Sequence, residues 1–144
     1  MTQHIICAVD LNHKDDAKAI LTEASRIAGL ENATLSVVTV LPDFGSSWVG
    51  SFFKDDTLAN AAEAARVELH ELADSVLPNS DAVQCIVEIG SVYEEVVDAA
   101  VKCNADLIIV GAHKPDFTDR LVGPNAARVV RHSPVSVLVA RLKG

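Results

Sequence analysis

The chain has 144 residues, of which 49% are hydrophobic, so it is long enough for one domain with a full core, and its composition argues against global disorder. Twenty acidic residues against 12 basic ones give a formal net charge of −8, which disfavours nucleic acid and anionic membranes as partners. No apolar run approaches the roughly 20 residues of a membrane span, and the amino-terminal residues are too polar for a signal peptide. We therefore expect a cytoplasmic protein.

The three cysteines give no metal or disulfide pattern. Cys7, Cys85 and Cys103 are odd in number and widely spaced, and no Cys-x-x-Cys pair occurs. Such cysteines usually behave as small buried hydrophobic residues, so we expect free thiols in a reducing compartment. A redox role is the alternative.

The first half of the chain alternates predicted strands and helices. Residues 4–9 form a short apolar run, which predicts a buried strand, and residues 17–28 have apolar positions at helical spacing, with the following glycine as the stop. Residues 33–41, rich in Val and Thr, predict a second strand. Residues 42–53 have a loop-like composition, and a long helix is expected over 55–76.

The second half continues the alternation. Residues 83–89 predict the third strand, and the helix after it begins at Ser91, which has capping-box spacing with Glu94. Residues 106–110 predict the fourth strand. A short helix over 124–131 and a fifth strand over 135–140 complete the pattern.

Strands that alternate with helices predict a parallel α/β sheet. We expect a single three-layer domain over residues 1–144, with a five-stranded parallel sheet in the order 3-2-1-4-5 and four helices. In such sheets ligands bind beyond the carboxyl ends of the strands, where the winding direction reverses. For this order the crevice lies between strands one and four, whose carboxyl ends carry Asp10 and Gly111.

The segment 111–134 contains the residues most suited to binding an anion. A glycine directly after a strand lets the backbone approach a ligand, and Gly123 precedes a helix whose free amides and dipole attract phosphate. The alternative is structural, because glycines often end strands and helices. Asp10 has an alternative too, as the cap of a turn or of the following helix.

Nothing in the sequence predicts a catalytic or a metal-binding group. The chain has no P-loop and no Gly-x-Ser-x-Gly elbow, and its five histidines show no ligand spacing. Only His113 is placed near the predicted crevice. We expect the other four to be surface or structural residues, with His132 shaping the turn from the last helix to the last strand.

The same segment resembles the carboxyl-terminal signature of universal stress proteins: Gly-x2-Gly, nine residues, Gly-Ser/Thr, a helix, and His-x-Pro before the last strand. Three further segments resemble the family: residues 6–10 its first strand ending in aspartate, residues 39–41 its second-strand end, and residues 88–91 its glycine turn. The similarity spans essentially the whole chain.

The resemblance implies a Rossmann-like fold, a homodimer, and binding of ATP or a related adenine nucleotide, with or without Mg²⁺. It places Asp10 and Val40 in the adenosine pocket, His113 beside the ribose and phosphates, and the Gly123 and Asn125 amides at the phosphate tail. The expected binding set is Ala8, Val9, Asp10, Val40, Val110, Gly111, His113, Lys114, Arg120, Gly123, Pro124, Asn125 and Ala126.

Two departures from the family pattern concern the phosphates. Lys114 replaces the second glycine, with eight residues before Gly123, and Pro124 replaces the Ser/Thr and so lacks both a hydroxyl and an N–H. This pattern is similar to the F/G-type branch of the family. We expect weakened phosphate contact, offset by Lys114 or Arg120 as a point charge. A nucleotide-independent interaction protein is the main alternative, and a slow ATPase is the least favoured.

The fifth predicted strand, residues 135–140, should lie at an edge of the sheet. An apolar edge strand promotes association unless it is paired. We therefore expect a homodimer through this strand, with further association of dimers and an unidentified protein partner left open.

Overall fold

A computed structural model describes residues 2–42, 55–112 and 124–142 of the chain. The predicted loop over 42–53 lies outside the described residues beyond Pro42. In chain order the elements are β1 His4–Ala8, α1 Lys14–Glu31, β2 Thr34–Leu41, α2 Asp55–Val76, β3 Gln84–Ile89, α3 Val92–Lys102, β4 Leu107–Ala112, α4 Pro124–His132 and β5 Ser136–Arg141, with a short 3₁₀ turn at Ser80–Ala82.

The strands form one parallel sheet in the order β3-β2-β1-β4-β5. The central strand β1 pairs on both sides, so that Ile6 lies beside Ser36 of β2 and Ile108 of β4. This order, with four helices, confirms the Rossmann-like α/β fold predicted from the sequence.

Helices cover both faces of the sheet. Ile5 and Cys7 of β1 point into a core with α1 and α2, whereas Ile6, between them, points into a core with α3 and α4. Successive residues of a strand face opposite sides, so a strand covered on both sides must be apolar throughout. This explains the continuous apolar run of β1. Burial of a side chain such as Leu21, which is fully enclosed, contributes about 1.5–3 kcal/mol.

The ends of two helices differ from expectation. Gly29 lies inside α1, which continues to Glu31 and ends at Asn32 with φ 52°. Asparagine tolerates this left-handed conformation, and the Ala33 amide closes the last turn on the Ala28 carbonyl at 2.8 Å. Asn32 therefore ends the helix, and the prediction of a stop at Gly29 was wrong.

The predicted capping box at the start of α3 does not form. Ser91 occupies the N-cap position with extended backbone but makes no side-chain cap hydrogen bond. The Glu94 carboxylate instead accepts the Tyr93 hydroxyl at 3.1 Å. The helix begins all the same, because the Glu95 amide donates to the Ser91 carbonyl at 2.9 Å and two acidic residues favour the positive end of the dipole.

At the end of α4, Ser133 rather than His132 shapes the turn into β5. The Ser133 hydroxyl donates to the Val135 carbonyl at 2.7 Å and accepts the Val135 amide at 3.0 Å. The His132 ring lies 5.2 Å from that of Tyr93 on α3. Across the described ranges, none of the helices combines the length and apolarity needed to cross a bilayer.

Candidate functional site

A cleft of about 410 Å³ opens at the carboxyl ends of the strands, between β1 and β4. Strand order reverses here, because β2 and β3 extend the sheet on one side of β1 and β4 and β5 on the other. The volume suits a small-molecule ligand. The described lining consists of Ala8, Val9, Asp10, Asn12, His13, Asp16, Ala17, Ile20, Val38, Val40, Pro42, Val92, Val96, Val110, Gly111, Asn125, Ala126, Val129 and Leu142.

The cleft walls are mostly aliphatic. Val38 and Val40 contribute one wall from β2, Val96 faces the cleft from α3, and Ala126 and Val129 face it from α4. Aliphatic walls of this kind suit a weakly polar group, and a heteroaromatic base is one such group.

Three helices begin beside the cleft. Asp16 belongs to the first turn of α1, Val92 is the first residue of α3, and Asn125 is the second residue of α4, and all three line the cleft. An α-helix carries partial positive charge and unsatisfied amides at its amino-terminal end. The end of the cleft next to α4 is therefore suited to an anionic group.

Asp10 holds the turn between β1 and α1. Its Oδ1 accepts the Asn12 amide at 2.9 Å, its carbonyl accepts the His13 amide at 3.0 Å, and its Oδ2 lies 3.9 Å from His13 Nε2. Asp10 therefore caps this turn, as the structural interpretation of the residue expected. The carboxylate is also 61% exposed and lines the cleft, so capping leaves it accessible to a ligand.

Gly111 lies inside β4, paired with Ala140 of β5, rather than directly after the strand as predicted. A Cβ at this position would stand 2.6 Å from Ile20 Cδ1 and 3.1 Å from Leu142 Cδ1. The close packing of α1 and of the chain after β5 against β4 therefore favours glycine here, because a Cβ would displace the Ile20 and Leu142 side chains. These contacts support the structural interpretation of Gly111. Ile20 and Leu142 also line the cleft.

The structure brings most of the predicted binding residues together. Those that line the cleft are Ala8, Val9, Asp10, Val40, Val110, Gly111, Asn125 and Ala126. Pro124 is the first residue of α4, where its missing N–H interrupts no helical hydrogen bond. The remaining predicted residues, His113, Lys114, Arg120 and Gly123, lie outside the described residues.

Part of the cleft lining was not predicted from the sequence. Val38 precedes Val40 by two positions and so faces the same side of β2, which strand periodicity could have shown. Val92 and Val96 are one helical turn apart at the start of α3. Ile20 on α1 carried no signal, because its place in the cleft depends on packing against Gly111, far along the chain.

The charges around the described lining are unevenly distributed. Asp10 and Asp16 place two carboxylates at the α1 side, and this part of the lining contains neither lysine nor arginine. Repulsion directs a bound anion away from α1 and toward the start of α4. Within the described ranges, no three His, Cys, Asp or Glu side chains are grouped so that they could hold a metal ion.

The fold and the cleft define an open, doubly wound α/β domain with a ligand cleft where the strand order reverses. Residues 1–141 match the model of the universal stress protein family, and the chain belongs to this family. It is 31% identical to universal stress protein A homolog 1 of Coxiella burnetii over 98% of this chain and 97% of that one. It is 27% identical to universal stress protein G of Escherichia coli O157:H7, over 98% and 100%. The predicted resemblance to the family and to its G-type members is confirmed.

Solved structures of the family share the fold. A universal stress protein in complex with cAMP superposes with a TM-score of 0.68 at 24% identity and covers 97% of both chains. The universal stress protein of Archaeoglobus fulgidus in complex with dAMP gives a TM-score of 0.62 at 21% identity, over 95% of this chain and 96% of that one. Structural relatives of this chain therefore include nucleotide-bound members of the family.

Proposed function

We propose that this protein binds an adenine nucleotide, ATP, ADP or AMP, in the cleft between β1 and β4 and acts as a stress-response or regulatory module. The observation that carries the proposal is the cleft itself, with aliphatic walls at one part and the beginning of α4 at another. Two structural relatives with bound cAMP and dAMP support the nucleotide as the ligand class.

The proposed arrangement follows the polarity of the lining. The base lies between the aliphatic walls, with the Val40 backbone as a hydrogen-bonding partner, and the Asp10 carboxylate accepts ribose hydroxyls. The phosphates extend toward α4, where Asn125 and Gly123 offer amides and His113, Lys114 or Arg120 supplies positive charge. Mg²⁺ would enter together with the phosphates of ATP.

The first experiment looks for a nucleotide that co-purifies with the protein. The protein is denatured after purification and the released small molecules are identified by mass spectrometry, and the stripped protein is then titrated calorimetrically with ATP, ADP and AMP. We expect a released adenine nucleotide or saturable heat. The absence of both at millimolar ATP, with and without magnesium, would overturn the proposal.

A conservative variant tests the ribose contact. Asp10→Asn keeps an oxygen that can accept the Asn12 amide and hold the turn, but it removes the charge. Since hydrogen bonds to charged groups contribute about 1.5–3 kcal/mol, we expect nucleotide affinity to fall by about tenfold or more. Asp15→Asn is the matched control, because Asp15 is an exposed residue of α1 outside the cleft lining. Equal affinities of both variants would remove Asp10 from the site.

Pro124→Ser tests the weakened phosphate contact. Serine restores an N–H and a hydroxyl at the first position of α4. We expect tighter binding of ATP with little change for adenosine, measured by calorimetry. If the fold persists by circular dichroism and ATP affinity does not rise, proline is not responsible for a lost phosphate contact.

The second candidate is a nucleotide-independent interaction protein. Pro124 and Lys114 favour it, as do the carboxylates of Asp10 and Asp16 in the cleft. This candidate predicts a stripped protein that is folded and assembles normally but gives no heat with any adenine nucleotide. A slow ATPase is the least favoured function, and single-turnover phosphate release above a nucleotide-only blank would be its signature.

A homodimer through β5 is part of the proposal. Among the described elements β5 pairs only with β4, so its outer edge presents backbone donors and acceptors, and Val137 through Ala140 are half-buried. We expect a dimer by light scattering and a monomer for Leu138→Lys. A cytoplasmic location is also proposed, and the three free thiols support a reducing compartment.

A further inference from the structure

A second cavity lies at the opposite end of the sheet from the cleft. This groove of about 300 Å³ is formed where α1 and α2 end and where β2 and β3 begin. Helices of a parallel α/β fold end at the amino edge of the sheet, so the groove and the cleft lie at opposite edges. The described lining is Ser25, Ala28, Gly29, Asn32, Ala33, Thr34, Leu35, Leu77, Pro78, Asn79, Ala82 and Val83.

The groove has an aliphatic interior. Leu35 and Leu77 are each 7% exposed, and Ala28 is 6% exposed. Pro78 and Val83 extend the aliphatic surface along the groove. An alkyl chain is therefore the kind of group that would bury apolar surface here.

Polar acceptors surround this interior. Asn32 and Asn79, both exposed, carry amide oxygens, and Ser25 and Thr34 carry hydroxyls. The last-turn carbonyls of α1 and α2 end at the same place. Carbonyl, amide and hydroxyl oxygens all accept hydrogen bonds from an N–H donor.

Two helix carboxyl ends and nearby carboxylates lead us to expect a negative electrostatic field at the groove. Two helix dipoles end there, and neither helix has a basic residue in its last turn, where Lys, Arg or His commonly balances the dipole. Residues 25–35 and 74–83 contain three acidic residues, Glu31, Asp74 and Asp81, and one basic residue, Arg26. The Arg26 guanidinium is ion-paired with Glu23, so it is already balanced by a carboxylate of its own helix.

We infer that this groove binds an aliphatic ammonium group, with the alkyl stem against Leu35 and Leu77 and the ammonium at the carboxyl ends of α1 and α2. Charge complementarity decides the ligand class, because an anion would be repelled and a neutral alkyl chain would leave the field unbalanced. A free diamine and the lysine side chain of a protein partner share this chemistry. The groove is separate from the cleft, since the two share no lining residue, and this inference does not rest on nucleotide binding.

The test is a titration of the ¹⁵N-labelled full chain, followed by NMR. One arm uses 1,4-diaminobutane, a second uses Nα-acetyl-lysine methylamide, and 1-butanol and sodium chloride serve as neutral and ionic controls. We expect saturable shifts, in the millimolar range or below, at the amides of Gly29, Asn32, Asn79 and Val83. Tighter binding of the diamine identifies a free polyamine-type ligand, and tighter binding of the lysine derivative identifies a protein partner. Shifts from neither amine, or equal shifts from butanol, overturn the inference.

Gly29→Met tests the groove directly. Gly29 lines the groove, and a Cβ there would meet nothing within 4 Å, so a methionine side chain can extend over the groove without a clash at its Cβ. We expect amine affinity to fall by about tenfold or more because the side chain occupies the ligand's place. Ala64→Met is the matched control, an exposed helical position in α2 outside the groove lining. Unchanged amine affinity of Gly29→Met would overturn the inference.

A charge variant separates the ammonium contact from the alkyl contact. Glu31→Gln with Asp81→Asn removes two exposed carboxylates beside the groove, and we expect amine affinity to fall by about threefold. Glu68→Gln with Asp15→Asn, two exposed residues outside the groove lining, is the control for the same change in net charge. Equal losses in both variants would mean that the whole protein's charge attracts the amine and that no ammonium site exists in the groove.

Discussion

The two ends of strands β1 and β4 differ. At their amino ends, side-chain hydrogen bonds join the neighbouring segments, whereas at their carboxyl ends a cleft lies between the two strands. At the amino edge, Asp106 Oδ2 accepts the amides of Gln3 at 2.7 Å and His4 at 2.9 Å. These bonds join residues that are more than 100 positions apart in the chain. Because both amides favour the ionised carboxylate, the pKa of Asp106 lies below its usual range.

His4 extends this network to β2 and α3. Its Nδ1 donates to the Cys103 carbonyl at 2.9 Å, since a carbonyl can only accept, and its Nε2 lies 2.7 Å from Ser36 Oγ. Ser36 is 1% exposed and also lies 3.4 Å from Gln84 Oε1 of β3. The amino edge is therefore fixed by side chains across four strands.

The two edges of the sheet therefore contribute differently, the amino edge to stability and the carboxyl edge to the proposed binding site. Hydrogen bonds between distant segments stabilise the amino edge, whereas the described residues at the carboxyl edge line a cleft. Local stability is not uniform in proteins, and ligand sites are commonly drawn from the less constrained parts. Substitutions at the amino edge should therefore lower stability, and those at the carboxyl edge should change binding.

The largest expected effect is an exception to this division, because a substitution at Gly111, at the carboxyl edge, should lower stability. Gly111→Val places its Cβ 2.6 Å from Ile20 Cδ1, so overpacking should lower the free energy of unfolding by about 3 kcal/mol, measured in urea. The partner variant Gly111→Val/Ile20→Ala removes the side chain that is struck. It should lose less than the sum of the two single variants. Simple additivity would show that Ile20 is not the residue that requires glycine.

The next effect tests the amino edge. His4→Leu leaves the Ser36 hydroxyl and the Cys103 carbonyl without their imidazole partner, which should cost about 2 kcal/mol. Ser36→Ala in the His4→Leu background removes one of these orphaned groups. The double variant should therefore be no less stable than His4→Leu alone, by chemical unfolding. A further full loss would contradict the network.

Gly29→Ala should have a smaller effect of the opposite sign. The position is helical, exposed and open around a Cβ, so alanine should raise the free energy of unfolding by about 1 kcal/mol through helix propensity. Thermal unfolding gives the measurement. A loss of stability would show that the end of α1 needs glycine for a reason other than space.

The smallest effect is the pH dependence that Asp106 contributes. A carboxyl whose folded pKa lies below its ordinary value of 3.8 stabilises the fold above that pH, and the stabilisation disappears as pH falls through the folded pKa. The Tm difference between the wild type and Asp106→Ala should therefore be present at neutral pH and shrink under acid conditions. Asp106→Asn also lacks the titrating group, so its Tm difference from the wild type should shrink in acid as well, but from a smaller value because the amide oxygen still accepts a hydrogen bond. A pH-independent difference for Asp106→Ala would contradict this origin.

The fold could be predicted from the sequence because each element carries its own local signal. The apolar run of β1 and the helical spacing of α2 need no distant information. Part of the cleft could be predicted as well, because the predicted strand order places Asp10 and Gly111 at the same crevice. The reason for Gly111 could not be predicted, since it depends on how Ile20 packs.

The amino-edge network left no trace in the sequence. It joins Gln3, His4, Ser36, Cys103 and Asp106, which share no motif or spacing and meet only through strand order. The capping box is the opposite case, because the sequence contains the motif but the structure does not form it. Ser91 and Glu94 have the right spacing, but Glu94 bonds the Tyr93 hydroxyl instead.

The central position of β1 has a consequence for folding during synthesis. β1 can pair with β2 as soon as residues 34–38 have left the ribosome, but its other side stays open until residues 107–109 emerge. Domains gain their tertiary contacts only once the partner segments exist, and non-local strand pairing is slow. Until residues 107–109 emerge, the nascent chain therefore exposes one edge of a mostly apolar strand, and an unpaired apolar edge promotes association with other chains.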